Sequence, residues 1–177
     1  GVEGTKIVVF YPKNGVSPIQ EKQMVTQKGA NTHVVGIHGN FDDAQTGVKK
    51  MFADKELEKE LAAKGYQFSS ANSINIGRLV PQIVYYVYAY ATLLKEGKIA
   101  DGEAINVVVP TGNFGNILAA YYAKNMGLPI AKLICASNDN KVLFDFFATG
   151  EYNKNREFIL TTSPSMDILI SSNLERL

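Results

Sequence analysis

Apolar positions along this chain fall into two alternating rhythms, short β-branched runs and longer stretches with helical spacing. Lys6 to Tyr11 is the first run and reads as a strand ended by Pro12. Ser17, Pro18 and Gln20 then carry three agreeing marks of a helix start: an N-cap, a proline at the first helical position and a capping box. That helix is expected to reach about Lys28, with Gly29 as its stop. Thr32 to Ile37 is a second strand. Asn40 caps a long amphipathic helix, Asp42 and Asp43 suit its first turn, and Phe41, Ala44, Val48, Met51 and Phe52 mark its inward face. A break is expected near Asp54, before a helical segment from Leu57 to Lys64 that Gly65 closes.

Tyr66 to Ser70 reads as a weaker strand. From Leu79 to Leu94 the sequence is apolar on nearly every side, which predicts a helix buried between layers, kinked or restarted at Pro81 and ended by Gly97. Val107 to Val109 form a buried strand. The helix that begins at about Asn116 stops at Gly127 and Pro129. A strand over Lys132–Ala136, a short helix over Val142–Phe147, a short strand at Ile159 and Leu160, and a last helix opened by Ser163 and Pro164 complete the chain. Strands alternating with helices over short connections predict an α/β protein, with parallel sheets and helices on both faces. The best candidate boundary lies between Gly65 and Ala71, dividing residues 1–68 from residues 69–177.

Composition narrows this picture by exclusion. A net charge of +1 gives no electrostatic case for nucleic acid or for an anionic membrane surface. No apolar run approaches a membrane span, and Gly1 to Lys6 is no signal peptide. The single cysteine, Cys135, excludes an internal disulfide and suits a reducing cytoplasm; within Leu133–Ala136 it reads as a buried filler. The chain begins without methionine close to its first strand and ends inside an expected helix, so we expect a piece of a longer protein.

The candidate chemistry gathers at two strand-to-helix corners. In the first, Pro110 and Thr111 lead into Gly112, Asn113, Phe114, Gly115 and Asn116. Two glycines let a ligand approach the backbone, and the following helix start offers unpaired N–H groups and a positive dipole end. That chemistry suits a phosphate, although a merely tight corner would carry the same glycines. In the second, Asn72, Ser73 and Asn75 are followed by Arg78, which together offer amide, hydroxyl and guanidinium donors. Helix capping by Asn72 or Ser73 is the plainer account of that cluster. Both corners follow strands, and in parallel sheets ligands sit at the carboxyl ends of strands, so the pair suggests two phosphates side by side. His33 and His38 have no metal-ligand spacing around them, and no metal site is expected. Ser17, Ser163 and Ser165 read as helix caps, and the tyrosines from Tyr85 to Tyr90 as part of the buried helix.

These residues resemble the threonine synthase family. The resemblance is carried by Pro110–Asn116, by Asn72–Asn75 with Arg78, by Ser17–Lys22, by Ala136–Asn138 and by Thr162–Asp167. It implies a fragment of a two-domain enzyme of the tryptophan-synthase-β type, fold type II among enzymes dependent on pyridoxal phosphate. Residues 1–68 would be part of the smaller α/β domain and residues 69–177 part of the larger, cofactor-binding one. The implied activity is that of a lyase in threonine biosynthesis, converting O-phosphohomoserine and water to threonine and phosphate. Gly112, Asn113, Phe114, Gly115 and Asn116 would hold the cofactor phosphate, and Asn72, Ser73 and Arg78 the substrate phosphate. The resemblance departs at one point. The family's Schiff-base lysine stands in a Phe-Lys-Asp motif that is absent from this chain, so no catalytic residue is assigned and the chain alone is expected to be inactive. A serine or threonine dehydratase of the same fold type, and a phosphate- or nucleotide-binding module without catalysis, are the alternatives. An oligomer is compatible with either.

Overall fold

A computed structural model describes residues 2–163 and 166–177. The chain divides into two compact units, the described residues of Gly1–Phe68 with Leu160–Ser165, and those of Ser69–Ile159 with Met166–Leu177. The architecture is α/β, and both strand pairs are parallel.

In the first unit β1 (Ile7–Pro12) pairs with β2 (Thr32–Ile37), with Ile7 opposite Thr32 and Pro12 opposite Ile37. Helix α1 (Pro18–Val25) joins them. Its start is a complete capping box: Ser17 Oγ accepts the Gln20 N–H at 3.3 Å and Gln20 Oε1 accepts the Ser17 N–H at 3.1 Å. Helix α2 (Phe41–Ala53) opens on the same device built from Asn40 and Asp43. Asp54 both ends α2 and caps α3 (Lys55–Ala63), accepting the N–H groups of Glu56 and Leu57 at 3.0 Å. Of the expected inward face of α2 only Ala44 is buried, while Phe52 stacks on Phe68 with ring centres 5.0 Å apart.

The second unit begins with α4 (Ile76–Leu79), a 3₁₀ turn at Val80–Gln82 that accommodates Pro81, and α5 (Ile83–Lys95). Strand β3 (Ile105–Pro110) pairs with β4 (Ile130–Ala136) through a register shift at Ile105 and Asn106, and α6 (Gly115–Asn125) connects them. Helix α7 (Val142–Thr149) follows β4, and a 3₁₀ turn at Leu174–Arg176 lies near the end. The core is Leu79, Val109, Phe114, Ile117, Leu118, Val142 and Leu143. Each such side chain contributes about 1.5–3 kcal/mol when fully removed from water. Alanines at 119, 120 and 123 complete the inner side of α6 and let it pack closely.

Several expected elements differ. Tyr66–Ser70 and Ile159–Leu160 are not strands, because neither segment pairs with a neighbour that would satisfy its backbone in a ladder. Helix α1 ends at Val25, where Thr26 turns its hydroxyl back onto the Lys22 carbonyl at 2.5 Å. Helix α5 is not buried between layers: Tyr90 is its only buried residue, whereas Val84, Tyr85 and Tyr88 are 62%, 62% and 72% exposed. An all-round apolar helix reads alike in sequence whether or not the chain itself supplies the layer that covers it. The last helix was expected to open at Ser163 and Pro164; Pro164 and Ser165 lie outside the described residues, Ser163 is in no helix, and Met166–Leu177 contain a 3₁₀ turn but no α-helix.

Candidate functional site

The β3–α6 corner is anchored from below by Thr111. Its N–H and hydroxyl both donate to the Ala136 carbonyl, at 2.9 and 3.1 Å, and the hydroxyl oxygen lies 2.7 Å from Cys135 Sγ. Burial pushes the Cys135 thiol above its ordinary pKa, so this sulfur is a packing group and not an activated nucleophile. Phe114 holds a left-handed conformation, φ 67°, as the N-cap of α6, with no side chain capping the helix. A bulky residue there costs about 1–2 kcal/mol, offset by burying its ring to 5% exposure against the core.

Gly115 and Ser73 explain each other. A Cβ at Gly115 would lie 2.6 Å from Ser73 Oγ and 2.7 Å from Ser73 Cβ, so only glycine lets the second corner sit against the first turn of α6. Asn113 ties the two together: its Nδ2 donates to Ser73 Oγ at 2.9 Å and reaches Asn72 Oδ1 at 3.5 Å, while its Oδ1 accepts the Gly115 N–H at 3.3 Å. The N–H groups of Gly112, Asn113, Phe114, Asn116 and Ile117 find no acceptor among the described residues. They form a donor-rich niche at the positive end of an eleven-residue helix.

Within the second corner, Asn75 is the cap of α4, accepting the Gly77 N–H at 2.9 Å, and Asn72 Oδ1 accepts the Ile74 N–H at 3.1 Å. Capping by Ser73 is therefore not the reason for that cluster. Arg78 is exposed on α4, and its guanidinium makes no hydrogen bond or ion pair among the described residues. The structure thus joins Asn113 and Gly115 to Asn72 and Ser73, and no bond joins Arg78 to them. Asn116 faces α5: Tyr86 donates its hydroxyl to Asn116 Oδ1 at 2.6 Å, with Asn116 O at 3.0 Å, and Asn116 Nδ2 donates to Gln82 Oε1 at 3.0 Å. Burial raises the Tyr86 phenol to about 12.

Two residues absent from the sequence reading complete the site. Asn173, fully buried, donates its N–H to the Asn113 carbonyl at 3.1 Å and its Nδ2 to the same oxygen at 3.0 Å and to Ser73 Oγ at 2.9 Å. Arg176 donates Nη1 to the Ser73 carbonyl at 2.9 Å and Nη2 to the Ile74 carbonyl at 2.6 Å. The available signal was Asn173 itself, a polar residue following the apolar run Ile168–Ile170. Below the niche, Phe114, Ile117, Tyr121, Leu133, Cys135 and Phe147 line most of an apolar cavity of about 480 Å³. No cluster of metal-ligating side chains occurs among the described residues, and none of their helices is long and apolar enough to cross a membrane.

No family model matches the chain. Human threonine synthase-like 1 is 51% identical over 172 residues, which are 96% of this chain and 23% of that protein. The threonine synthase of Schizosaccharomyces pombe is 43% identical, matched over 99% of this chain and 35% of its own length. The crystal structure of the PLP-bound threonine synthase from Brucella melitensis superposes with a TM-score of 0.78 at 46% identity, covering 99% of this chain and 36% of that one. The chain spans between about a quarter and about a third of the length of these relatives. From end to end, in sequence and in fold, it is therefore similar to a segment amounting to about one third of a threonine synthase.

Proposed function

We propose that this chain is the phosphate-handling part of a threonine synthase that converts O-phosphohomoserine and water to threonine and phosphate. One observation supports this above the others: Asn113, Ser73 and Gly115 bring two donor-lined corners into direct contact, with backbone N–H groups left for a ligand. The donor set fits the phosphate of pyridoxal phosphate. It consists of backbone N–H groups and the Ser73 hydroxyl, no carboxylate bonds to it among the described residues, and the missing Cβ of Gly115 lets that hydroxyl stand against the first turn of α6. When bound, the cofactor supplies an electron sink for the carbon skeleton of the substrate.

The chain's own part is binding and orientation. Gly112, Asn113, Phe114, Gly115 and Asn116 would hold the cofactor phosphate at the start of α6, where fixed dipoles need no reorganisation. Asn72, Ser73 and Arg78 would hold the substrate phosphate and stabilise its charge as it leaves. Residues 1–68 would belong to the smaller domain and residues 69–177 to the larger, in a cytoplasmic enzyme. The amine that bonds to the cofactor would come from elsewhere in the full-length protein, since no Phe-Lys-Asp stands here.

The test is to load the full-length protein with pyridoxal phosphate and follow O-phosphohomoserine. Threonine and inorganic phosphate are expected, with no release by the isolated chain. Deamination of serine without any action on O-phosphohomoserine would overturn the proposal in favour of a dehydratase. Turnover by the isolated chain would refute the absence of a catalytic amine.

A further inference from the structure

Asn173 and Arg176 do more than fill space, because the directions of their hydrogen bonds decide what Ser73 can do. An arginine only donates, so the Asn173 atom 2.6 Å from Arg176 Nη1 is the carboxamide oxygen. Asn173 Nδ2 is thereby turned toward Ser73 Oγ at 2.9 Å. A backbone N–H also only donates, so the Gly115 N–H fixes Asn113 Oδ1 toward itself and Asn113 Nδ2 toward the same Ser73 oxygen, again at 2.9 Å. Ser73 Oγ therefore accepts two hydrogen bonds whose direction cannot be reversed, and a hydroxyl has two lone pairs. Its own proton meets no acceptor among the described residues.

We infer that Asn173 and Arg176 are positioning residues that lock the Ser73 hydroxyl as a donor to an oxygen of the substrate phosphate, beside the first turn of α6. This rests on the phosphate-binding role proposed above. Arg176 adds a second element. Its guanidinium spans the consecutive carbonyls of Ser73 and Ile74, and it pairs with no carboxylate among the described residues. Its positive charge is left to favour an anion nearby, and its planar fork fixes the backbone that carries Ser73. A lysine would keep the charge and lose the fork.

The experiment titrates inorganic phosphate into the full-length protein freed of cofactor, by calorimetry, for the parent protein, Ser73→Ala, Arg176→Lys and the double variant, with thermal unfolding measured alongside. Ser73→Ala should weaken phosphate binding about tenfold or more, the loss of a hydrogen bond to a charged group. Arg176→Lys should weaken it comparably, and the double variant should bind no worse than the weaker single one, because both changes remove the same hydroxyl contact. Asn173→Asp serves as a second variant. Its carboxylate keeps and strengthens the Arg176 contact but can only accept, so the Ser73 proton turns onto it and phosphate binding falls, while the lost bond to the Asn113 carbonyl is read separately as a lowered unfolding temperature. Losses that multiply in the double variant, or unchanged binding in Arg176→Lys and Asn173→Asp, would overturn the inference. A parent protein that fails to bind phosphate would instead overturn the proposed function itself.

Discussion

At the end of β1 the chain leaves through Pro12, passes a residue in the left-handed region (Asn14, φ 68°) and a glycine crowded by a neighbour (Gly15), and enters α1. At the end of β3 it leaves through Pro110, passes Phe114 at φ 67° and Gly115, and enters α6. The parts match, but they are finished differently. Asn14 is a residue type that tolerates its conformation, whereas Phe114 keeps its own only because its ring is buried. Gly15 makes room for Pro12, three residues away in a local turn, whereas Gly115 makes room for Ser73 from a distant segment. Ser17 and Gln20 close a reciprocal box at the start of α1; at the start of α6 Asn113 takes the Gly115 N–H, and those of Asn116 and Ile117 find no acceptor among the described residues. A turn satisfied by its own residues is a connection. One that leaves its donors open and brings in a remote hydroxyl has the form of a receptor for an anion.

Three measurements would break or sharpen that contrast. The largest effect is expected from Gly115→Ala, whose methyl cannot fit against Ser73 unless the corners separate. Overpacking of this kind costs about 1–3 kcal/mol, and phosphate titration should show weakened binding beyond what the lowered stability explains. Unchanged phosphate affinity would mean that the contact between the corners has no part in binding. Next, Ser17→Ala should cost about 1 kcal/mol in denaturant unfolding, the worth of an N-cap, and leave phosphate binding untouched. A loss of phosphate binding there would erase the distinction between the two turns.

The smallest effect concerns pH. The Tyr86 phenol titrates near 10 when unfolded and at about 12 in the fold, so the neutral form is the one the folded state favours. Its contribution is complete below pH 10 and is lost as pH rises toward 12. The unfolding midpoint should therefore decline across that window, and Tyr86→Phe should flatten the decline by removing the group that braces Asn116.

Much of this molecule was legible because its signals are local. The capping box at Ser17 and Gln20, the Asn40 cap, the break at Asp54 and the glycine corner before α6 each depend on residues within a few positions of one another. Asn72, Ser73 and Asn113 were singled out for their donors, and the structure brings them together. What sequence did not reveal depends on partners far along the chain. Asn173 and Arg176 are ordinary residues until the last segment lies beside Ser73 and Asn113. Tyr66–Ser70 has the composition of a strand but no neighbour to complete its ladder. The exposed apolar side of α5 shows the same limit in reverse, since periodicity records hydrophobicity and not what meets it.

The bonds from Asn173 and Arg176 to Ser73 and Asn113 have a consequence for biosynthesis. A nascent polypeptide that has released β3 and α6 from the ribosome already has most of the core of its second unit, yet the Ser73 hydroxyl is not held by Asn173 until the residues at 173 and 176 have emerged. Competence to grip an anion should therefore arrive late and abruptly during translation, after compaction and not with it.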